Sequence, residues 1–359
     1  MRLADIAHGR ENNFKLVRLI AAFAVLVTHS FAIATGERQA EPLRSWLGMT
    51  IGDFAVDAFF VTSGFLVTAS LARRRSTVEF IAARVLRVYP ALVVMLLLTV
   101  FIVGPVATRL SVRDYLFNRH TFAYFAINAT MIFDVRYVLP GVFESNAYRS
   151  AVNGSLWSMP WELRMYALLL GFWLLARSAD GLRDRQRDRL ILLACGASAL
   201  AHFWIYYVTG ASSDPVRLLF MFFVGASYYV LRRWIPISGP LAIGGAVALA
   251  LSLFDRDTFF ITYNVTLAYL LLWIAYVPAG VIRRFNALGD YSYGMYIYAF
   301  PVQQMTSFVS PGISVTNMIL ASGTITLVLA IASWHVIEAR ALALKDRFSL
   351  ESTAIKRWD

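Results

Sequence analysis

Arg18 and His29, in the first apolar segment of the chain, are polar residues whose types and spacing suit chemistry. They are 11 positions apart, and at about 100° per residue an α-helix returns to nearly the same face after 11 residues. A rise of about 1.5 Å per residue separates the two side chains by about 16 Å. Since histidine has an unperturbed pKa of about 6.5, His29 is a candidate general base. The alternatives are a helix–helix hydrogen bond for His29 and a topology marker for Arg18.

A second basic pattern comes just before the third apolar segment. Arg84 and Arg87 are three positions apart and lead into Tyr89-Pro90, so a helix would present both guanidinium groups on one face. Guanidinium groups bind phosphates through charge-assisted hydrogen bonds. The pair is therefore a candidate phosphate clamp, although basic residues at the end of a membrane span also mark its cytoplasmic side.

Polar residues also interrupt the second and fourth apolar segments. Glu162 lies just inside the fourth segment, and ionisable residues within such segments are functional candidates because they are costly in hydrocarbon. A local pair between Glu162 and Arg164 is the alternative interpretation. In the second segment, the small pair Ser63-Gly64 lets another helix approach closely or lets its own helix kink.

The amino-acid composition indicates what kind of secondary structure must position these residues. Of the 359 residues, 58% are apolar and only 15% are charged, against about 25% charged in soluble domains. These values exclude an ordinary cytoplasmic enzyme and a disordered chain, and the single cysteine excludes a disulfide scaffold. No metal-binding spacing, nucleotide loop or dinucleotide fingerprint occurs, so we expect no metal and no tightly bound cofactor.

The apolar residues form long runs, each able to cross a bilayer as a helix of about 20 residues. The sequence therefore predicts an all-α, polytopic membrane protein with about ten transmembrane helices. The predicted spans are residues 16–34, 51–71, 90–108, 159–176, 190–208, 215–231, 239–254, 259–278, 291–309 and 316–336.

The basic residues alternate between the two sides of these spans. With a cytoplasmic N-terminus, the inner segments hold 23 of the 33 Lys and Arg residues and the outer segments hold 9. This is the positive-inside pattern of membrane proteins. It predicts that both termini are cytoplasmic, including a basic tail at 341–359. It also explains the net charge of +11 without nucleic acid as a partner.

Residues 109–158 form a long outer-face excursion between the third and fourth spans. The stretch is apolar at 122–133 but also contains Asn128, Asp134 and Arg136. A loop of this length is usually functional or disordered, and its aromatic residues argue against disorder. It is interpreted either as a re-entrant or interfacial helix or as an extra pair of short spans.

Six short motifs occur in order along almost the whole chain. They are the pair Arg18 and His29, FFVTSGF at 59–65, RVLRVYP at 84–90, SLWSMPWE at 155–162, SYGMY at 292–296 and IE at 337–338. In this order the chain resembles the membrane-bound acyltransferase-3 family, whose members O-acylate sugars and surface glycans. One departure is Ala299, where many relatives have a histidine two residues before the proline of the ninth span. Either Tyr298 substitutes for that histidine or this branch does without it.

The resemblance implies an acyltransferase domain over residues 1–340 in a bacterial inner membrane, surrounded by membrane lipids. It also implies acyl-CoA, with acetyl as the usual acyl group and succinyl or a longer group also open, as a co-substrate on the cytoplasmic side. Arg18, Arg84 and Arg87 would hold its phosphates. His29 would act as the general base on the acceptor hydroxyl or as a covalent acyl relay.

The implied acceptor is a hydroxyl of a carbohydrate or lipid-linked glycan. Glu162 is the second catalytic candidate, since it would either orient His29 or bind the sugar. The remaining candidates are aromatic and small polar residues that would bind the acceptor or support the site. They are Ser63, Trp157, Tyr166, Tyr293 and Tyr298.

Two other classes of protein fit parts of this pattern. A transporter or flippase of a lipid-linked glycan would also have ten spans and buried charges. A transporter would not need a basic clamp together with a histidine on one helix face. The presence of both features favours the enzyme. A structural membrane scaffold explains none of the charges within the spans.

Overall fold

The computed structural model describes residues 1–7, 11–73, 76–132, 134–149, 151–177 and 183–345. Within these ranges the protein is helical, with isolated β-bridges and no β-strand, so the all-α prediction is confirmed. The helices are α1 (Leu3–Ile6), α2 (Phe14–Thr35), α3 (Arg44–Leu47), α4 (Ile51–Arg73), α5 (Thr77–Leu98), α6 (Gly104–Ala107), α7 (Val112–Leu116), α8 (Arg119–Thr130), α9 (Met159–Arg177), α10 (Arg183–Thr209), α11 (Asp214–Val230), α12 (Gly239–Ser252), α13 (Arg256–Tyr276), α14 (Val281–Arg284), α15 (Ser292–Val309), α16 (Val315–Ser333) and α17 (Ala339–Ala343).

Each of the ten predicted spans falls on one of these helices. Within the part of the chain that the structure describes, six stretches are long and apolar enough to cross a membrane: Phe14–Thr35, Ile51–Arg73, Thr77–Ala107, Asp184–Thr209, Arg256–Tyr276 and Val315–Ala343. Two of the others are shorter, since α11 has 17 residues and α12 has 14. The number of spans and the side of each terminus stay predictions, and residues 346–359 of the tail lie outside the described residues.

The third predicted span begins earlier than the sequence indicated. Helix α5 starts at Thr77, where the Ser76 side chain accepts a hydrogen bond from the Glu79 backbone N–H as an N-cap. Pro90 lies inside the helix instead of at its start. The predicted start at residue 90 was therefore wrong, and Arg84 and Arg87 belong to the helix itself.

Two of the long spans contain π-helical turns. One turn, Thr99–Val103, joins α5 to α6, and the other, Trp334–Glu338, joins α16 to α17. Such turns are often found at functional sites. The second turn includes the Ile337-Glu338 motif.

The excursion at 109–158 contains α7, α8 and a short 3₁₀-helix at Gly154–Ser158. With 12 residues, α8 is about 18 Å long, shorter than the hydrocarbon thickness of about 30 Å. The length of α8 favours a re-entrant or interfacial helix over a pair of spans. The Asn128 side chain exchanges two hydrogen bonds with the Arg136 backbone, at 2.8 and 2.9 Å.

The chain divides into two compact units. The first contains residues 1–21, 43–73 and 161–288, and the second contains residues 22–42, 74–160 and 289–359. In the first unit, α4 and α11 are in backbone contact, because a Cβ on Gly64 would overlap the carbonyl oxygen of Phe222. A Cβ on Gly225 would overlap the carbonyl oxygen of Val61 in the same way.

A buried ionic cluster also ties the first unit together. Arg217 of α11 is only 2% exposed and contacts both carboxylate oxygens of Asp57 at 3.1 Å. It also pairs with Asp53 at 3.2 Å and with Asp214 at 2.8 Å. Tyr263 of α13 donates a hydrogen bond to Asp57 at 2.8 Å. The cluster links α4, α11 and α13 around the buried charges of Arg217 and Asp57.

The second unit is built around α15, which packs against α16. Its core includes Ile33, Ala151, Phe300 and Met318. The loop at 146–153 is fastened to α15 by buried amides. Asn153 Nδ2 donates to the Ile297 carbonyl at 3.0 Å.

Candidate functional site

In the first unit, three of the predicted site residues meet at one carboxylate oxygen. Ser63 Oγ donates to Glu162 Oε1 at 3.0 Å, and the Tyr166 hydroxyl donates to the same oxygen. Ser63 is on α4, while Glu162 and Tyr166 are one turn apart on α9. No described residue donates a hydrogen bond to Glu162 Oε2. The carboxylate is therefore held from one side and has one oxygen left for a ligand.

Arg18 lies in the part of α2 that belongs to the first unit. Its guanidinium carbon is 5.5 Å from the ring centroid of Phe59, which is within the range of a cation–π contact. Phe59 is one helical turn before Ser63 on α4. Arg18 makes no ion pair with any described residue, and its buried Nε has no hydrogen-bond partner among them. Its charge is thus not neutralised by the described part of the protein.

The Arg164 guanidinium lies over the Trp161 ring at 4.3 Å. This stacking covers one face of the tryptophan that directly precedes Glu162 in the SLWSMPWE motif. It also gives Arg164 a partner within α9.

In the second unit, His29 lies near the middle of the helix that begins with Phe14. Its ring meets the Phe300 ring in an edge-to-face contact, with centroids 5.1 Å apart. The hydroxyl groups on either side of it, Thr28 and Ser30, donate to carbonyl groups of their own helix. The prediction that Arg18 and His29 share one helix is confirmed, because α2 is continuous over Phe14–Thr35.

Arg87 has partners that the sequence analysis did not assign to it. Its guanidinium pairs with Asp290 at 2.7 Å and with Glu338 at 3.2 Å. It also lies 5.6 Å from the Tyr293 ring centroid and 5.9 Å from that of Trp334. A phosphate group that binds Arg87 would have to compete with Asp290 and Glu338, because their carboxylates already pair with the positive charge of the guanidinium group.

Arg84 lies almost one turn before Arg87 on α5 and is half-buried. The predicted clamp is thus formed by two arginines in different surroundings. Of the pair, Arg87 belongs to an internal network that also includes Ser333, which donates to Glu338 at 2.9 Å. The terminal Ile337-Glu338 motif was the signal in the sequence that could have identified this partner.

Two of the sequence motifs meet in the second unit. The Tyr296 hydroxyl donates to the Ser155 carbonyl at 2.7 Å and lies 2.7 Å from the Ser158 hydroxyl. Trp157 is half-buried in the 3₁₀-helix between these two serines. The Tyr293 hydroxyl donates to the Val88 carbonyl at 2.7 Å. These contacts join the tyrosine-rich segment to the 3₁₀-helix that contains Trp157 and to α5.

Tyr298 borders an apolar cavity of about 320 Å³ in the second unit. Helices α5, α15 and α16 and the first π-helical turn line it. The lining includes Met95, Thr99, Tyr298, Pro301, Met305 and Leu329. Ala299, at the position where many relatives have histidine, is buried and only 1% exposed.

Sequence reasoning missed two fully buried glutamines on α15, Gln303 and Gln304. Gln304 Nε2 donates to the Tyr148 carbonyl at 2.9 Å and to the Ala151 carbonyl at 2.5 Å. Asn146 Nδ2 donates to Gln304 at 2.8 Å. Adjacent amides within an apolar span were a signal in the sequence, because each needs hydrogen-bond partners in hydrocarbon.

Among the predicted site residues, the structure brings Ser63, Glu162 and Tyr166 together in the first unit and Arg87 and Tyr293 together in the second. Arg18 also belongs to the first unit, and the second unit also contains His29, Arg84, Trp157 and Tyr298.

Comparison with known proteins gives a consistent result. A family model described as an acyltransferase domain matches residues 11–337. An O-acetyl transferase of Shigella phage Sf6 is 27% identical, over 93% of this chain and 96% of its own length. Nodulation protein 10 of Rhizobium leguminosarum bv. viciae is 28% identical, over 94% of this chain and 95% of its own length. No solved structure matches the chain significantly.

Proposed function

The chain belongs to the acyltransferase-3 family, and from this premise we propose that it is a membrane O-acyltransferase that moves an acyl group from acyl-CoA to a carbohydrate hydroxyl. Acetyl is the proposed acyl group, because a relative similar over its whole length is an O-acetyl transferase. Succinyl or a longer group is the alternative. The acceptor is a surface or lipid-linked glycan.

The observation that carries the proposal is the placement of Arg18 and His29 on one uninterrupted helix. The spacing of about 16 Å along α2 matches a ligand with phosphates at one end and a reactive carbonyl at the other, joined by a thin arm. Acyl-CoA has this form. Arg18 suits the phosphate end because no described carboxylate neutralises it, and Arg84 contributes a second cation.

In the proposed reaction His29 takes the proton of the acceptor hydroxyl as that oxygen attacks the thioester carbonyl carbon. The C–S bond then breaks, and the departing thiolate takes the proton from the imidazolium group to give free CoA. General base catalysis by such a group contributes about 10²–10⁴-fold. A covalent acyl-histidine relay is the alternative, in which the imidazole attacks first and the sugar hydroxyl attacks second.

Glu162 is assigned to the acceptor. Because Ser63 and Tyr166 both donate to Oε1, Oε2 is left to accept hydrogen bonds from sugar hydroxyls. Trp157 is the proposed stacking surface for the sugar ring. The assignment of Glu162 to the sugar is preferred over the alternative in which it orients His29.

The charge pattern supports a sided reaction in the bacterial cytoplasmic membrane. We place both termini, Arg18, Arg84 and Arg87 on the cytoplasmic side, where acyl-CoA is made. Trp157 and Glu162 belong to the opposite side, where surface glycans are assembled. The donor and the acceptor would then enter from different faces.

The test uses oriented membrane vesicles from cells that produce the full chain, with labelled acetyl-CoA on the cytoplasmic face only. We expect label in the glycolipids of the opposite face, without passage of CoA. His29→Ala should lower the rate at least 100-fold, while the exposed-histidine control His120→Ala should keep it. Mass spectrometry of surface glycans from the same cells should show acetylation lost with His29→Ala alone.

Three results would overturn parts of this proposal. Near-normal turnover by folded His29→Ala removes its role as base or relay. Transfer that requires the donor and acceptor on one face removes the sided arrangement. Glycan movement without any acyl transfer favours the transporter.

A further inference from the structure

Gln303 of α15 is fully buried and makes two hydrogen bonds that bracket His29. Its Nε2 donates to the Leu26 carbonyl at 2.7 Å and to Ser30 Oγ at 2.7 Å. Leu26 and Ser30 are one turn apart on α2, and His29 lies in that turn. All of these residues belong to the second unit.

The orientation of the amide follows from its neighbours. The Leu26 carbonyl only accepts hydrogen bonds, and the Ser30 hydroxyl already donates to that same carbonyl at 2.9 Å. Both groups therefore face Gln303 as acceptors. If the amide were flipped, its oxygen would face the Leu26 carbonyl oxygen and the Ser30 hydroxyl oxygen. The amide nitrogen Nε2 must therefore point at α2.

The oxygen atom of the Gln303 amide makes no comparable hydrogen bond. Gln303 Oε1 is buried and accepts no hydrogen bond from the described residues. An unpaired buried acceptor destabilises a fold. Removing the amide would leave no group on α2 unsatisfied, because the Ser30 hydroxyl and the Leu26 carbonyl already bond to each other. The contribution of Gln303 to stability is therefore small.

A second residue of α15 contacts the same turn. Phe300 lies three positions before Gln303, so both point from one face of α15. The Phe300 ring packs against the His29 imidazole at 5.1 Å, while Gln303 holds the backbone and hydroxyl on either side of it. Both contacts fit only one rotation of α2 about its axis.

We propose that Gln303 is a positioning residue for His29. Its two donated bonds fix the rotation of the α2 turn, and thereby the direction in which the imidazole presents its reactive nitrogen. The inference rests on the proposed function, in which His29 is the base or acyl relay. An amide that fixes direction at a cost to stability is a pattern typical of functional sites.

The test compares Gln303→Met with Gln304→Met in the full-length protein, using labelled acetyl-CoA and the vesicles described above. Gln303→Met should lower kcat about 10- to 100-fold, with an unchanged KM for acetyl-CoA and an unchanged melting temperature. Gln304→Met should lower the melting temperature instead, because it removes one of the acceptors of the Asn146 amide and the donor to the Tyr148 and Ala151 carbonyl groups. An unchanged kcat in folded Gln303→Met overturns the proposal, as does a loss explained by a lower melting temperature alone.

Gln303→Glu provides a readout that does not depend on the folding of the Met variant. A protonated carboxyl group donates one hydrogen bond to α2, whereas the ionised form donates none and repels the Leu26 carbonyl oxygen. The ratio of variant to wild-type rate should therefore fall as the pH rises, and a flat ratio overturns the proposal.

His29→Ala is measured in the same series. If it is inactive while Gln303→Met is fully active, the positioning role fails and the proposed function stands; if His29→Ala is active, the role of His29 fails as well.

Discussion

Ser63 Oγ donates a 3.0 Å hydrogen bond to Glu162 Oε1, although the two residues are 99 positions apart in the chain. The Tyr166 hydroxyl donates to the same oxygen. Two donors on one oxygen fix the plane of the carboxylate and leave Oε2 to meet a ligand. Two motifs that looked separate in the sequence, one on α4 and one on α9, therefore share a single carboxylate.

Glu162→Gln tests the assignment of this carboxylate to the acceptor. We expect acyl transfer to fall at least tenfold while acetyl-CoA binding is unchanged, because the amide oxygen still accepts from Ser63 and Tyr166 but the charge is lost. Binding is measured by titration of the purified protein and transfer by labelled glycolipid. Glu144→Gln, an exposed glutamate, is the control. Loss of acetyl-CoA binding in Glu162→Gln contradicts the assignment.

Arg84→Ala should weaken acetyl-CoA binding. A hydrogen bond to a charged group contributes about 1.5–3 kcal/mol, which corresponds to a roughly ten- to hundredfold change in affinity. The effect should shrink at high salt, since salt screens a half-exposed charge. Arg185→Ala removes an exposed arginine on the same predicted side and should leave affinity unchanged. If the two variants bind acetyl-CoA with equal affinity, Arg84 only marks the cytoplasmic side of its helix.

Arg87→Ala should act mainly on stability, in contrast to Arg84→Ala. It would leave Asp290 and Glu338 without their shared cation, and breaking a buried ion pair costs about 3–5 kcal/mol. We expect a clearly lower melting temperature in detergent. Glu11→Ala breaks the exposed pair with Arg283 and should cost about 0–1 kcal/mol. A stable Arg87→Ala protein with weakened acetyl-CoA binding would show that Arg87 holds phosphate directly.

Gly64→Ala should destabilise the first unit. The added methyl group would meet the carbonyl oxygen of Phe222 on α11, and overpacking of this kind costs about 1–3 kcal/mol. Gly171→Ala is the matched control, because a Cβ there meets no atom within 4 Å. Thermal unfolding of the two variants in detergent measures the difference. Equal melting temperatures would mean that α4 and α11 can move apart freely.

The sequence predicted the helices well because long apolar runs and alternating basic segments report directly on membrane spans. It misplaced the start of α5 because Pro90 resembled a helix start, whereas a membrane helix can accommodate a proline in its interior. The N-cap Ser76 and its partner Glu79 were the better signal.

The candidate site was predicted less completely, for a physical reason. Arg87 meets carboxylates 203 and 251 positions further along the chain, and no local pattern encodes such a pairing. Gln303 was missed because a neutral amide does not stand out by charge. Its importance depends on which groups face each end of the amide, and only the folded helices determine that.

The buried ionic cluster around Arg217 has a consequence for how the protein is made. Arg217 lies in the first turn of α11, which has only 17 residues, and an unpaired charge within a span opposes entry into the bilayer. Asp53 and Asp57 on α4 are synthesised earlier and carry the complementary charge. We therefore expect α4 to remain near the translocon during biogenesis until α11 emerges, so that Arg217 pairs with Asp53 and Asp57 before lipid surrounds the two helices.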